Sequence, residues 1–168
     1  MIELGQSARL RTTQAILICL MIGLTSCDPN ITRANGALGI SVSADGKNIQ
    51  IQFVLCSDEL VNVVELLDHQ GGNAIGEDVD PILWKITSSA GSPLESFTVG
   101  KIPAGFTEAV PLTREVGDDT SLGVIVESTQ GEAVNVFRLS DLRSDRVFSR
   151  LKSLSPSEFQ EQASGTCH

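Results

Sequence analysis

A chain of 168 residues with 41% hydrophobic and 20% charged residues is long enough for one domain with a real core and too apolar for global disorder. Its formal net charge of -9, with six Phe, one Trp and no Tyr, argues against the basic patches and stacking platforms that nucleic-acid binding requires. The same shortage of aromatic side chains argues against a carbohydrate platform.

The first segment reads as an address. Residues 1–14 carry Arg9 and Arg11 against a single Glu3, and residues 15–24, AILICLMIGL, are apolar throughout. That run is too short to cross a hydrocarbon core of about 30 Å as a helix; a basic start and a short apolar stretch describe a secretory signal. Leu24-Thr25-Ser26-Cys27 follows, an aliphatic residue, two small ones and a cysteine. This resembles the lipobox of bacterial lipoproteins. The resemblance implies that residues 1–26 are removed and that the Cys27 thiol takes a diacylglyceryl group through a thioether. Asp28, directly after it, resembles an inner-membrane retention signal for a cell with two membranes. Residues 27–36 are polar and read as a tether between lipid and domain.

Removing residues 1–26 takes away two arginines and one glutamate, leaving 142 residues with 10 basic and 20 acidic, net -10. Such a chain is not drawn to anionic lipid in general, so the partner expected to hold it at the membrane is the lipid on Cys27; two acyl chains suffice for stable anchoring. Cys19 leaves with the signal, and Cys27 is the lipid site. Cys56 and Cys167 remain, and export favours a disulfide between them. In the chain-entropy model a loop of 111 residues gives about 4–5 kcal/mol. A thiol-reactive pair or two metal ligands, with His168 alongside, are the alternatives.

From Ala37 the dominant period is two, the pattern of half-buried strands. Leu38, Ile40 and Val42 alternate with small residues, Asp45-Gly46 marks a turn, and Ile49, Ile51, Phe53 and Leu55 form the inward row of a second strand. Cys56 shares the parity of Gln50 and Gln52, which puts it on the outer face or at the end of that strand, unlike the immunoglobulin bridge between sheets. VNVVELLD (61–68) is a third strand, with a short helix as the competing reading. ILWKITS (82–88) is a fourth, with Ile82, Trp84 and Ile86 inward. Residues 94–99 make a fifth strand and 107–112 an edge strand flanked by Pro103 and Pro111. LGVIVES (122–128) and AVNVFRL (133–139) form a hairpin around Thr129-Gln130-Gly131.

In residues 138–152 five basic side chains, Arg138, Arg143, Arg146, Arg150 and Lys152, run against the global charge. Val147, Phe148, Leu151 and Leu154 have helical spacing there, so an amphipathic segment able to touch anionic headgroups is one reading and a solvated face the other. Ser155-Pro156-Ser157-Glu158 is a capping-box start for a short helix through about Ala163. The fold expected is all-β: an immunoglobulin-like β-sandwich of about seven strands with a short C-terminal helix, spanning residues 37–168 as one domain. The stretch from Cys56 through ILWKI and GKIPAGFTEAVPL resembles small secreted or lipid-anchored actinobacterial proteins of unknown function, a likeness that implies no site.

The chain carries little catalytic vocabulary. His69 and His168 are its two histidines, and there is no G-x-S-x-G, no glycine-rich phosphate loop and no C-x-x-C. His69, just before Gly71-Gly72, reads as a surface turn residue. Glu77, Asp78 and Asp80, and separately Asp118 and Asp119, have the oxygen chemistry of a Ca²⁺ loop but not the EF-hand spacing, and solvated loop carboxylates are the favoured reading. No cofactor or metal is expected. The function expected is a non-enzymatic binding or scaffold domain, lipid-anchored on the extracytoplasmic side of the cell membrane, with an envelope protein as partner. A small-ligand-binding or chaperone-like lipoprotein is the alternative, and an envelope hydrolase the third. A deep apolar pocket favours the second reading, a flat apolar patch the first, and a His or carboxylate pair converging in a cleft the third.

Overall fold

The computed structural model describes residues 36–56, 58–71, 75–76 and 80–167. Among the described residues, ten strands and one α-helix follow in chain order, with a 3-10 turn at Leu139–Asp141. They are β1 (Ala37–Val42), β2 (Ile49–Val54), β3 (Val61–Asp68), β4 (Ile82–Ser92), β5 (Ser96–Thr98), β6 (Thr107–Val110), β7 (Ser121–Ser128), β8 (Gly131–Arg138), β9 (Val147–Ser149), β10 (Lys152–Leu154) and α1 (Pro156–Ser164). They build two five-stranded antiparallel sheets, ordered β10-β9-β1-β2-β5 and β6-β4-β3-β7-β8.

Alternation explains how the sheets meet. Leu38, Ile40, Ile51, Phe53 and Phe97 of the first sheet face Val64, Leu66, Trp84, Ile86, Leu122, Val124, Val126 and Phe137 of the second in one buried core. Trp84 and Phe97 bring their rings to 6.2 Å across it. The Trp84 indole N–H donates to Glu108 on edge strand β6 at 3.1 Å, so the buried ring keeps its polar partner. Asn135 also points inward, and its amide donates to the Phe148 carbonyl of the opposite sheet at 3.1 Å.

Two further layers cover the outer faces. On the first sheet, α1 packs Phe159 and Ala163 against Ala37, Val147, Val54 and Leu154, so β1 is buried on both faces. On the second, Leu67, Ile125 and Val134 are covered by Ile75 and Ile82. Gly123 makes room there: a Cβ on it would lie 2.2 Å from Ile75 Cδ1. Beside this patch the buried Glu65 carboxylate pairs with its cross-strand neighbour Lys85 at 2.6 Å.

Several sequence expectations need correction. Ile82 is not in the inward row, because the β3–β4 register slips between Leu66↔Trp84 and Leu67↔Ile82. That bulge turns Ile82 to the outer face and leaves both Leu83 and Trp84 in the core. The third strand is a strand and not a helix. The fifth and sixth strands are shorter than expected, at Ser96–Thr98 and Thr107–Val110.

Residues 147–154 are not an amphipathic helix but the hairpin β9–β10. Arg150 and Leu151 form its two-residue turn with φ of 49° and 62°. Positive φ at both central residues is the type I′ geometry that matches strand twist. Tertiary pairing to β1 overrides the helical spacing, and it holds two side chains in a region that costs each about 1–2 kcal/mol. The C-terminal helix begins as expected: Ser155 Oγ accepts the Glu158 N–H at 3.2 Å, and Glu158 accepts the Ser155 N–H at 2.7 Å.

Strand directions give the sandwich two distinct ends. Ala37, Val54, Val61, Ser92 and the Thr129-Gln130 turn lie at one, where the chain enters the domain. Val42, Ile49, Thr98, Asp68, Ser121 and Arg138 lie at the other.

Candidate functional site

Cys27 and the signal residues lie outside the described residues, as do Glu77, Asp78 and His168. Cys56 and Cys167 are joined by a disulfide with Cα atoms 5.3 Å apart. Cys56 sits two residues beyond β2, at the entry end, so the bridge fastens Cys167, three residues beyond α1, to the end of that strand. Glu59, which the sequence did not single out, is buried beside it. Its carboxylate accepts the Cys56 N–H at 3.1 Å and the Ser128 hydroxyl at 2.5 Å, and so stitches the β2–β3 connection to β7.

His69 is not a surface turn residue. It is buried, and its Nδ1 lies 3.0 Å from Asp80 Oδ2. Asp80 Oδ1 accepts the Gln70 N–H at 2.9 Å. Burial pulls the Asp80 carboxyl upward, but the Gln70 N–H, the His69 ring and the Gly76 backbone together hold it below its ordinary value. Each oxygen of Asp80 thus has a partner within the protein. Among the described residues no cluster of three or more His, Cys, Asp or Glu is placed to hold a metal.

A buried Asp–His pair is also the orienting half of a nucleophilic triad. Among the described residues, no serine, threonine or cysteine side chain is hydrogen-bonded to the His69 ring. The pair instead closes the neck of the β3–β4 loop, where the Asp68 N–H meets the Pro81 carbonyl and the His69 N–H meets the Ser121 carbonyl, both at 2.9 Å.

One feature with the dimensions of a binding site, of about 590 Å³, runs along β2 and β5 beside Gln160, and another is at the far end from chain entry. A cleft of about 800 Å³ opens between the two sheets there. Its apolar wall is Val42, Ile49, Val99, Leu112, Val116 and Leu139, and its polar rim includes Lys47, Arg114, Glu115 and Asp118. Most of that wall is half-buried against the main core, so the cleft exposes the end of the sandwich interior. Leu112 is 36% exposed at its mouth. Arg114 pairs with Asp68 at the end of β3, which ties the 112–118 segment to the second sheet. Sequence reading missed this site because its residues come from four separate connections. The available signal was Leu112 and Val116, apolar side chains stranded in a polar, Pro-flanked linker.

No protein-family model matches the chain, and neither a curated protein nor a solved structure gives a significant match.

Proposed function

We propose that this chain is a lipid-anchored extracytoplasmic domain that binds an envelope protein without catalysing a reaction, and that the cleft at the far end of the sandwich is its binding site. The observation that carries the reading is the placement of the cleft. It opens at the end opposite Ala37, so a domain held at Cys27 through residues 27–36 presents the cleft away from the lipid. An apolar wall with a charged rim suits an apolar side chain of an extended partner segment, with the rim setting its register.

The immunoglobulin-like form of the sandwich belongs to the same proposal. The orders β1-β2-β5 and β4-β3-β7-β8 correspond to strands A-B-E and C′-C-F-G of that topology, with β6, β9 and β10 added at edges. The disulfide between the end of the second strand and the tail, and the lack of Tyr for a tyrosine corner, mark departures from antibody domains.

A small amphipathic ligand is the second reading, favoured by a cleft volume within the roughly 300–1,000 Å³ of small-molecule sites. Photo-cross-linking on intact cells separates the two. A cross-linker at Thr113, on the rim, is expected to capture one protein partner, and Leu112→Glu to abolish the adduct. A cross-linker at Gln130, at the entry end, is expected to capture none. Absence of any adduct from Thr113, together with a small molecule co-purifying with the protein and lost in Leu112→Glu, selects the ligand reading. The anchor is tested separately: Cys27→Ala should block processing or release the protein from membranes.

A further inference from the structure

The β9–β10 turn makes an unusual choice of residues. A two-residue type I′ turn is ordinarily filled by Asn-Gly, which tolerates positive φ, yet Arg150 and Leu151 occupy it. Leu151 is 61% exposed, the most exposed large apolar side chain among the described residues, and Arg150 and Lys152 flank it, both exposed. A single exposed leucine is ordinary; this one is set apart by the cations on either side, by its positive-φ backbone and by its position. Ile40 pairs with Phe148, so the antiparallel register sets Leu151 level with Ala37, at the end where the chain enters the domain.

We propose that this tip is a membrane-contact wedge: Leu151 enters the interface of an anionic bilayer while Arg150 and Lys152 meet its headgroups, so that the tethered domain leans on its β9–β10 corner. The inference rests on the lipid-anchor reading for its geometry. Residues 27–36 span at most about 35 Å when fully extended, so the tip stays within reach of the surface, and tethering converts a weak contact into an effectively intramolecular one.

Exposed acids also stand at this end, Glu127 and Glu132 on the β7–β8 hairpin and Asp58 and Glu95 beside β2 and β5. The order β10-β9-β1-β2-β5 puts β5 four strand spacings from β10, about 19 Å. That is beyond the roughly 8 Å screening length at physiological salt, so Asp58 and Glu95 are screened from the tip, and the attraction there is set by Arg150 and Lys152 against the acids of the β7–β8 hairpin. The net charge of -10 on residues 27–168 keeps the rest of the surface off the membrane, which makes the tip an orienting device and not a second anchor.

The test uses Leu151→Trp in the exported, processed protein, since the native Trp84 is fully buried and is a constant background. The protein is reconstituted through its own anchor into vesicles with brominated acyl chains, with or without phosphatidylglycerol. Binding to zwitterionic vesicles reports the anchor alone. Should that fail, an N-terminal histidine tag and nickel-chelating lipid provide the tether, so the tip is tested whether or not Cys27 carries lipid. On anionic vesicles the tip emission is expected to shift to the blue and be quenched. Both effects should be lost on zwitterionic vesicles and with Arg150→Gln and Lys152→Gln added. Ser96→Trp, on β5 at the same end and four strand spacings from β10, should remain unquenched. Unchanged Leu151→Trp emission in the vesicle-bound protein overturns the proposal, as does equal quenching with and without anionic lipid or equal quenching at Ser96→Trp.

Discussion

Phe159 lies against the bare backbone of Gly39: a methyl group on that glycine would stand 2.8 Å from the ring Cζ and 2.4 Å from Val147 Cγ1. The helix is seated on β1 because β1 has no side chain at that point. α1 has nine residues, and an isolated helix of that length is not stable in water. Its order comes from this seat and from the bridge beyond it.

Gly39→Ala is therefore expected to destabilise the protein by about 1–3 kcal/mol through overpacking, although the same change in an open strand would be mildly favourable. Thermal melting checks the direction. Proteolysis checks the mechanism, with cleavage in residues 155–167 expected before cleavage in the sheets.

Reducing the disulfide should act at two levels. Locally it frees Cys167, and the tail should become protease-sensitive while the strands remain protected. Globally it opens a loop of 111 residues, and the chain-entropy model puts the loss at about 4–5 kcal/mol. Cys167→Ser, compared by limited proteolysis and by denaturant midpoint, should show both. A tail that stays resistant after reduction would mean that Phe159 and Ala163 hold the helix unaided.

The sequence made β1, β2, β3, β7 and β8 legible because each is a run of six to eight residues rich in apolar, mostly β-branched side chains and bounded by turn residues. It failed at β9 and β10, strands of three residues each, too short to alternate and spaced by chance like a helix. The β4 bulge was invisible for a different reason: a one-residue slip changes which face Ile82 occupies without changing the local pattern. The disulfide pairing was legible by subtraction once Cys27 was assigned to lipid. The His69–Asp80 pair and the cleft were not, since both depend on which connections fold to the same end.

Asp80 gives the protein an acid-sensitive element. Its carboxyl is held below its ordinary value in the folded state. Its contribution to stability is thus complete above the unfolded aspartate value of about 3.9 and is lost as the pH falls through the lower folded value. In Asp80→Asn the melting temperature at neutral pH should drop, by an amount equivalent to about 1–3 kcal/mol for an acceptor lost from a buried group. Its further fall below pH 4 should be shallower than that of the unsubstituted protein. Hydrogen exchange at the Gln70 amide should accelerate in the same variant.

Replacing Arg150-Leu151 with Asn-Gly should stabilise the domain in solution. Both native residues sit at positive φ, and their replacements relieve much of a strain of about 1–2 kcal/mol each. The strand pairs Lys152↔Ser149 and Leu154↔Val147 remain, as does the Ser149 hydroxyl bond to the Leu38 carbonyl at 2.8 Å. The melting temperature should therefore rise by a few degrees with no change in the unfolding slope, since the area exposed on unfolding is nearly the same. A fall would mean that Arg150 or Leu151 makes a stabilising contact that outweighs its backbone strain. A rise would show that the native turn carries a stability cost in solution. That is the pattern of a segment kept for what it touches outside the domain.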